Sequence, residues 1–256
     1  MEQMTAVCTL GCDRKINRLS AWPTLMDLDG NYRLYFNYEF SNPKDAQRIA
    51  RQVEQFHHAG NKRGIPLSLD IWSWETSFGV PWRKRPRFDQ DQARLSSIVC
   101  ARNMCIEYAM QTGASHLLFI DGDIEPPKDI IPKLLEVGHL AVGGLVYGRG
   151  AHSGCPYIFG EKRRWRQGDP PYEIVEVEHG SIGFTMFSRK LFDSIRTRWG
   201  TATYPDGRAI ATSEDPAYQA DAFMRFGEWM WIRMDVVGKH IGDLAAEEVS
   251  SCSTFF

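Results

Sequence analysis

Short apolar segments alternate with longer amphipathic segments through the first part of the chain. Segments typical of strands lie at 4–10, 32–38, 66–72, 116–120 and 139–147. Segments with apolar residues at helical spacing lie between them, at 43–59, at 89–112 and after Pro126 and Pro127. Gly60 and Gly113 end the first two helices. Strands that alternate with helices predict an α/β fold, with a mostly parallel sheet and helices on both faces.

The pattern changes after about residue 150. Strand-like segments at 172–179 and 182–188 follow one another closely, which predicts antiparallel strands and a smaller antiparallel sheet in the C-terminal half. Further segments predict helices at 189–197 and 214–226 and a strand at 229–234. We expect one domain over 1–243, with a nucleotide-binding half at about 1–125, an acceptor and catalytic half at about 126–243, and a peripheral tail at 244–256.

Composition excludes several classes of protein. The chain has 43% hydrophobic and 24% charged residues, so a disordered protein is not expected. The net charge of −2 gives no global attraction to polyanions. None of the six cysteines forms a C-x-x-C pair, which favours free thiols in a reducing compartment. No signal peptide or transmembrane segment is evident, so we expect a cytoplasmic protein, and no feature indicates its oligomeric state.

The most informative motif is Asp121-Gly122-Asp123, directly after the apolar strand at 116–120. Open α/β sheets bind ligands at the carboxyl ends of their strands. Two carboxylates across one glycine can turn toward one hard cation, and Mn²⁺ and Mg²⁺ prefer oxygen ligands that they share with substrate phosphates. The motif therefore predicts a metal site for a phosphorylated ligand, and its alternative is an acidic loop without a ligand.

Three further features fit this site. Glu214 and Asp215 open a predicted helix, where acids also serve as plain N-terminal caps. His240 follows the strand at 229–234, and a lone histidine there is often structural. Arg102 and Asn103 lie within the long helix before Asp121, and their alternative is a solvated helix face.

Taken in order, these motifs resemble the GT-A glycosyltransferases, in particular the bacterial and viral (phage) branch of the family-2-like enzymes. The segments that carry the resemblance are ARNMCIEYAMQTGASHLLFIDGDIEPP (101–127), GGLVYGR (143–149), HGSIGFTMFSRKLFDSI (179–195), SED (213–215) and MDVVGKHIGD (234–243). The resemblance implies a Rossmann-like GT-A fold and transfer of a sugar, by default from a UDP-sugar, with Mn²⁺ or Mg²⁺ as cofactor.

The resemblance also implies a role for each matched residue. Asp123 binds the metal directly, Asp121 contacts the metal or the ribose, and His240 is a further metal ligand. Asp215 is the general base of an inverting enzyme, with Glu214 beside it. The implied nucleotide and donor contacts are Thr9, Arg102, Asn103, Asp121 and Gly183, and the loop from His179 to Gly183 lies near the donor sugar and acceptor.

Two basic segments lie in predicted loops. PWRKRPRF (81–88) includes Trp82, Arg83 and Arg85, and EKRRWRQ (161–167) includes Arg163, Arg164 and Trp165. Basic residues interleaved with aromatic ones suit a phosphate backbone with exposed bases. They equally suit a diphosphate-linked or acidic glycan, or are simply solvated loops. We therefore expect an anionic acceptor, with hydroxymethylated pyrimidine in DNA as the leading specific case and a glycan or lipid-linked acceptor as the alternative.

Two hypotheses from other classes remain. A nucleotidyltransferase also binds nucleotide and metal on a similar sheet, but it usually has a glycine-rich phosphate loop after its first strand. The segment LGCDRKINR (10–18) has Arg14 and Lys15 there but lacks the run of glycines. A non-catalytic sugar-binding or nucleic-acid-binding module with a decayed site is the other, and the joint presence of Asp121, Asp123, Asp215 and His240 argues against decay.

Overall fold

A computed structural model describes residues 3–12, 22–40, 43–73, 87–147, 158–163, 173–198, 200–204, 206–212 and 214–240. The strands in these ranges are β1 (Thr5–Cys12), β2 (Tyr32–Glu39), β3 (Leu67–Trp72), β4 (His116–Ile120), β5 (Ile124–Glu125), β6 (Ala141–Val146), β7 (Ile158–Arg163), β8 (Ile174–Gly180), β9 (Phe184–Ser188), β10 (Gly200–Thr203), β11 (Ala209–Thr212) and β12 (Met230–His240). The helices are α1 (Trp22–Leu25), α2 (Pro43–Lys62), α3 (Arg87–Gln111), α4 (Ile130–Val137), α5 (Arg189–Phe192) and α6 (Glu214–Phe226).

One ten-stranded mixed sheet organises this fold, in the order β3-β2-β1-β4-β9-β6-β12-β8-β7, with β5 paired to β12. Strands β1 to β4 are mutually parallel, and β6 and β12 form a second parallel pair. Strand β9 runs antiparallel between β4 and β6, and β8 runs antiparallel between β12 and β7. The predicted α/β class with a mostly parallel sheet is confirmed.

The strands predicted at 172–179 and 182–188 do not pair with each other. They form β8 and β9, which β6 and β12 separate within the main sheet. Each is antiparallel to its own neighbours, as expected, but each finds those neighbours elsewhere in the chain. The smaller antiparallel sheet of the C-terminal half is instead the hairpin of β10 and β11.

Both faces of the sheet are covered, which explains why its central strands β4 and β6 are almost entirely apolar. In β4, Leu118 and Ile120 join the core on one face, and Leu117 and Phe119 join the core on the other. Helices α1 and α4 contribute to the first core, and α3, α5 and α6 contribute to the second. Residues at the end of β4 are therefore held from both sides.

The boundaries of four other predicted elements change. The helix predicted at 43–59 does not end at Gly60 but continues to Lys62, because Gly60 keeps a negative φ and the left-handed conformation falls at Gly64, where φ is 71°. The helix predicted at 189–197 ends at Phe192, whose carbonyl accepts from Nη1 of Arg196 at 2.9 Å, and the chain after it is held by Asn103, which binds the N–H (2.9 Å) and the C=O (3.0 Å) of Thr197. The strand predicted at 229–234 continues to His240, because its second half pairs with β6 and β5. The second basic segment is a strand over its first three residues, because 161–163 belong to β7 and pair with β8.

Within the described residues, Cys8, Cys100 and Cys105 are free thiols, as expected. No helix in these ranges has the length and apolar content needed to cross a membrane.

Candidate active site

The turn that follows β4 holds the two aspartates of the predicted metal site. The Asp121 N–H donates to the Gly183 carbonyl at 2.8 Å, and the Ile124 N–H donates to the Asp121 carbonyl at 2.9 Å. Asp123 is buried, whereas the Asp121 side chain is 31% exposed. The backbone of this turn is therefore fixed while one carboxylate remains accessible to a ligand.

Two glycines make this arrangement possible. A Cβ atom on Gly122 would lie 2.6 Å from the Leu10 carbonyl oxygen, to which the Gly122 N–H donates at 3.0 Å. A Cβ atom on Gly183 would lie 2.2 Å from Oδ2 of Asp121. Carbon atoms do not approach oxygen this closely, so each site excludes any larger residue in the observed arrangement. Gly183 thereby leaves the space that the Asp121 carboxylate occupies.

Arg102 of α3 lies beneath the carboxylates as a buried cation. Its Nη2 donates to Oδ1 of Asp121 at 3.1 Å, and its Nε lies 3.9 Å from Oε1 of Glu214. Burial acts to lower the pKa of Arg102, but the charges of Asp121, Glu214 and Asp215 outweigh it and raise the pKa, so the guanidinium stays charged. A solvated helix face is therefore excluded for Arg102.

Arg102 also has hydrogen-bonding capacity to spare. Its guanidinium stacks 4.9 Å from the centre of the Phe119 ring. Within the described part of the chain, its Nε and Nη1 atoms are buried without a hydrogen-bond partner. Buried donors normally find a partner, so these two atoms are an exception, and the nearby carboxylates compensate for them through charge.

Glu214 and Asp215 occupy the first turn of α6, as predicted. Glu214 is buried, and Oδ1 of Asp215 accepts a hydrogen bond of 3.3 Å from the Ile182 N–H. Burial and the neighbouring Glu214 charge raise the pKa of Asp215 to about 8, although Arg102 opposes the shift. Three carboxylates from two elements, Asp121, Glu214 and Asp215, thus surround one arginine.

The third predicted metal ligand, His240, reaches the same end of the sheet through a strand pairing. It is the last residue of β12 and lies opposite Ile124 in the antiparallel β5–β12 ladder, so it stands beside the residue that follows Asp123. The structure therefore brings the C-terminal histidine to the aspartate turn, across more than a hundred residues of sequence.

This donor set fits Mn²⁺ or Mg²⁺. Among the described residues, no three His, Cys, Asp or Glu side chains cluster as a ready-made metal site. A dedicated protein cage is not needed, because such ions are commonly held by one or two carboxylates together with substrate phosphates. Asp121 and Asp123 would supply that number of carboxylates, and His240 lies nearby, opposite Ile124.

Solved structures share this architecture at low sequence identity. A mannosyltransferase from Pyrobaculum calidifontis, in complex with GDP-Man and Mn²⁺, matches 93% of this chain and 56% of its own, with 11% identity and a TM-score of 0.54. Residues 1–349 of S. aureus TarS, in complex with UDP, match 92% of this chain and 59% of their own, with 11% identity and a TM-score of 0.50.

The chain has the GT-A fold. It spans little more than half the length of either of these structures, and the likeness concerns the fold alone. The protein A197 from STIV matches 95% of this chain and 87% of its own at 14% identity, with a TM-score of 0.45 that is too low to bear on function. No protein-family profile and no curated protein sequence matches the chain.

Two of the predicted nucleotide contacts have other surroundings in the structure. Thr9 is buried in the second half of β1, near Gly122, and its hydroxyl has no hydrogen-bond partner among the described residues. Asn103 anchors the segment after α5, because its side-chain amide binds the backbone of Thr197 in both directions. Thr9 therefore keeps a free hydroxyl near the aspartate turn, whereas the Asn103 amide is already engaged.

The predicted acceptor residues are only partly described. Arg163 lies on the edge strand β7, opposite Glu176 of β8, and His179 lies on β8 opposite Phe159. The other five predicted acceptor residues lie outside the described residues, namely Trp82, Arg83, Arg85, Arg164 and Trp165. Neither basic segment is thus placed as a whole.

His179 and its neighbour Glu178 contact residues that the sequence analysis did not identify as part of the site, namely Tyr204 and Arg208. Its Nδ1 lies 3.3 Å from the Tyr204 hydroxyl, and Tyr204 stacks on Trp229. Burial lowers the pKa of His179 although Glu178 opposes the shift, so the imidazole is neutral at neutral pH. Arg208 pairs with Glu178 at 2.7 Å and ties the β10–β11 hairpin to β8. No periodic pattern or motif in the sequence predicts these contacts.

Proposed function

We propose that this protein is a metal-dependent glycosyltransferase that moves a sugar from a nucleotide-sugar donor to an acceptor hydroxyl. One observation carries the proposal: the carboxylates of Asp121, Glu214 and Asp215 meet around the buried cation Arg102 at the carboxyl end of β4. This end of an open sheet is where α/β proteins bind their ligands. The same fold in a mannosyltransferase bound to GDP-Man and Mn²⁺ supports this class of donor.

The chemistry of sugar transfer requires two separate acidic groups, one that binds the metal and one that acts as the base. The nucleoside diphosphate leaves as a polyanion, and a divalent ion held by the aspartate turn together with the substrate phosphates, with His240 as the predicted further ligand, would supply charge stabilisation for it. The acceptor hydroxyl is a poor nucleophile until a base removes its proton. Asp215 suits that role because burial and Glu214 keep its pKa near 8, close to the pH at which a general base works best.

The donor site is tested by thermal unfolding in the presence of ligands. We expect GDP or UDP to raise the melting temperature by several degrees with Mn²⁺ and much less with EDTA, because the diphosphate and the aspartate turn share the ion. Asp123→Asn should remove the manganese-dependent part of the shift. Asp129→Asn is the matched control, since Asp129 pairs with Lys133 on α4 and should keep the full shift.

Equal shifts with Mn²⁺ and EDTA would refute the metal site. The product of the reaction then separates the enzyme classes. Release of nucleoside diphosphate from a panel of GDP- and UDP-sugars, with UDP-sugars as the default, indicates a glycosyltransferase. Release of pyrophosphate from nucleoside triphosphates indicates a nucleotidyltransferase, and binding without turnover indicates a binding module.

For the acceptor we propose an anionic molecule, with DNA carrying hydroxymethylated pyrimidine as the specific case. The support comes from the sequence: the segments at 81–88 and 161–167 hold eight of the 30 lysines and arginines of a chain with net charge −2. Cations that neutralise phosphates release counterions, so binding to DNA should weaken with a log–log salt slope of about −0.9 per phosphate contacted.

We expect replacement of Arg83, Lys84, Arg85 and Arg87 by Ala to flatten this salt slope while donor-induced stabilisation stays unchanged. Trp82→Ala or Trp165→Ala should cost about 1–3 kcal/mol of DNA binding if the ring stacks on a base. Gel shifts and transfer of radiolabelled sugar to DNA with and without hydroxymethyl groups measure both effects. No binding at low salt together with no transfer would leave a glycan or lipid-linked acceptor.

A further inference from the structure

The segment Gly180–Gly183 connects the two acidic parts of the site. At one end, the Ile182 N–H donates to the Asp215 carboxylate at 3.3 Å. At the other end, the Gly183 carbonyl accepts from the Asp121 N–H at 2.8 Å, and Gly183 leaves room for the Asp121 side chain. The position of this segment therefore sets the position of Asp215 relative to Asp121.

Gln219 holds the start of this segment with both ends of its amide. The Gly180 N–H donates to Oε1 of Gln219 at 3.0 Å, and Nε2 of Gln219 donates to the Gly180 carbonyl at 2.9 Å. This is the exchange that two residues make in a hydrogen-bonded antiparallel pair, so the side chain continues the ladder at the end of β8. Gln219 is buried, which makes both bonds costly to lose.

Helix geometry connects Gln219 to the proposed base. Asp215 and Gln219 are four residues apart in α6, so they share one face of the helix. That face binds Gly180 through Gln219 and Ile182 through Asp215. Within the same segment, the Thr185 hydroxyl donates to the Ser181 carbonyl at 2.7 Å. These bonds fix the position of the Gly180–Gly183 segment relative to α6.

We propose that Gln219 is a positioning residue, which fixes the Gly180–Gly183 segment and through it the geometry of Asp215 relative to Asp121. The consequence for catalysis rests on the proposed glycosyltransferase function. The side-chain requirement is narrow: only an amide combines a neutral donor and acceptor in one plane, and only glutamine among the amides has the observed reach. A methionine fills similar volume but offers neither bond.

The test compares Gln219→Met with Tyr218→Phe, a control at the next position of α6 that removes a hydroxyl without a hydrogen-bond partner among the described residues. In Gln219→Met, without any substrate, we expect amide hydrogen exchange in the peptide covering 178–186 to speed up at least tenfold. In the Tyr218→Phe control this exchange should stay within twofold of the wild type. Unchanged exchange in Gln219→Met overturns the proposal.

The catalytic consequence is measured by a double-mutant cycle. We expect Gln219→Met to lower kcat about 10- to 100-fold while KM for the donor changes less than threefold. In an Asp215→Asn background the same substitution should lower kcat by a clearly smaller factor, because the part of its effect that acts through Asp215 is already lost. If the kcat losses of the two single substitutions multiply in the double mutant, the proposal is overturned. That result would indicate a general destabilisation of the fold, which lowers kcat whether or not Asp215 is present.

The proposed glycosyltransferase function and the positioning role of Gln219 are refuted by different results. A wild type that releases no nucleoside diphosphate from any nucleotide-sugar refutes the glycosyltransferase and with it the catalytic part. The exchange measurement still decides whether Gln219 fixes the segment, because it needs neither donor nor acceptor.

Discussion

Asp215→Asn is expected to lower the rate of sugar transfer by about 10²–10⁴-fold, the range that a general base contributes. Asparagine keeps the size of the side chain and can still accept the Ile182 N–H, but it cannot take the proton of an acceptor hydroxyl. Donor-induced thermal stabilisation should stay near the wild-type value. The matched control is Asp221→Asn on the same helix, since Asp221 pairs with Arg198 and should leave the rate within a fewfold of the wild type.

A stability measurement on the same variant checks the environment of Asp215 without any substrate. Burial holds the pKa of Asp215 at about 8 in the folded protein, well above the value of about 3.9 for an unfolded aspartate. Between these values the unfolded chain loses a proton that the folded chain keeps, so this group costs stability increasingly as the pH rises and fully above about pH 8. Asparagine does not ionise.

The melting temperature of Asp215→Asn should therefore exceed that of the wild type by a margin that is absent near pH 4 and grows toward pH 8. A margin independent of pH would contradict the buried environment. Product analysis by NMR tests the chemical role separately, because a product that retains the anomeric configuration of the donor would remove the base role from Asp215.

Gly183→Ala is expected to lower activity by about 10²-fold or more and to lower the melting temperature. The new Cβ would lie 2.2 Å from Oδ2 of Asp121, so either the carboxylate or the 180–183 segment must move by about 1 Å. A misplacement of that size at a reacting site typically costs about two orders of magnitude in rate. Transfer rates and thermal unfolding, measured with and without Mn²⁺ and nucleotide, give both effects.

The control for Gly183→Ala is Gly143→Ala, whose Cβ would contact Met230, Thr185 and Ile232 in the sheet core rather than Asp121. It should destabilise the fold by overpacking but retain donor binding. A second cycle isolates the clash itself: in an Asp121→Ala background, Gly183→Ala should cost little or no stability, because the opposing carboxylate is gone. An equal stability loss in both backgrounds would show that the clash with Asp121 is not the cause.

The α/β architecture could be predicted from the pattern of apolar residues. The segment His116–Ile120 is short, apolar after its histidine and bounded by polar turns, and this combination favours a strand covered on both faces. Gly113 ends α3 as predicted, in a left-handed conformation with φ of 72°, but the prediction for Gly60 was wrong, because α2 runs through it to Lys62. Other boundaries depended on remote partners, as where β12 continues to His240 because its second half pairs with β6 and β5.

The candidate site also combines features that the sequence predicts with features that only the tertiary structure shows. The local motifs were visible in the sequence: Asp121-Gly122-Asp123 follows a buried strand, and Glu214-Asp215 opens a helix. The neighbourhood of Arg102 was not visible, because its spacing within α3 equally fits a solvated face. Only the packing of α3 against the sheet buries Arg102 and brings the acidic groups of two other elements around it.

Sequence alone therefore determined the elements of this protein and the residue types at the ends of those elements. Both depend on interactions within a few residues of chain, namely backbone propensity, apolar periodicity and turn chemistry. The tertiary structure alone decided which ends meet. It set His240 opposite Ile124, aligned Gln219 with Gly180, and left at Gly183 the space that the Asp121 carboxylate fills. Such contacts join residues tens to more than a hundred positions apart, and their spacing along the chain carries no periodic signal because it is fixed by the packing of the whole sheet.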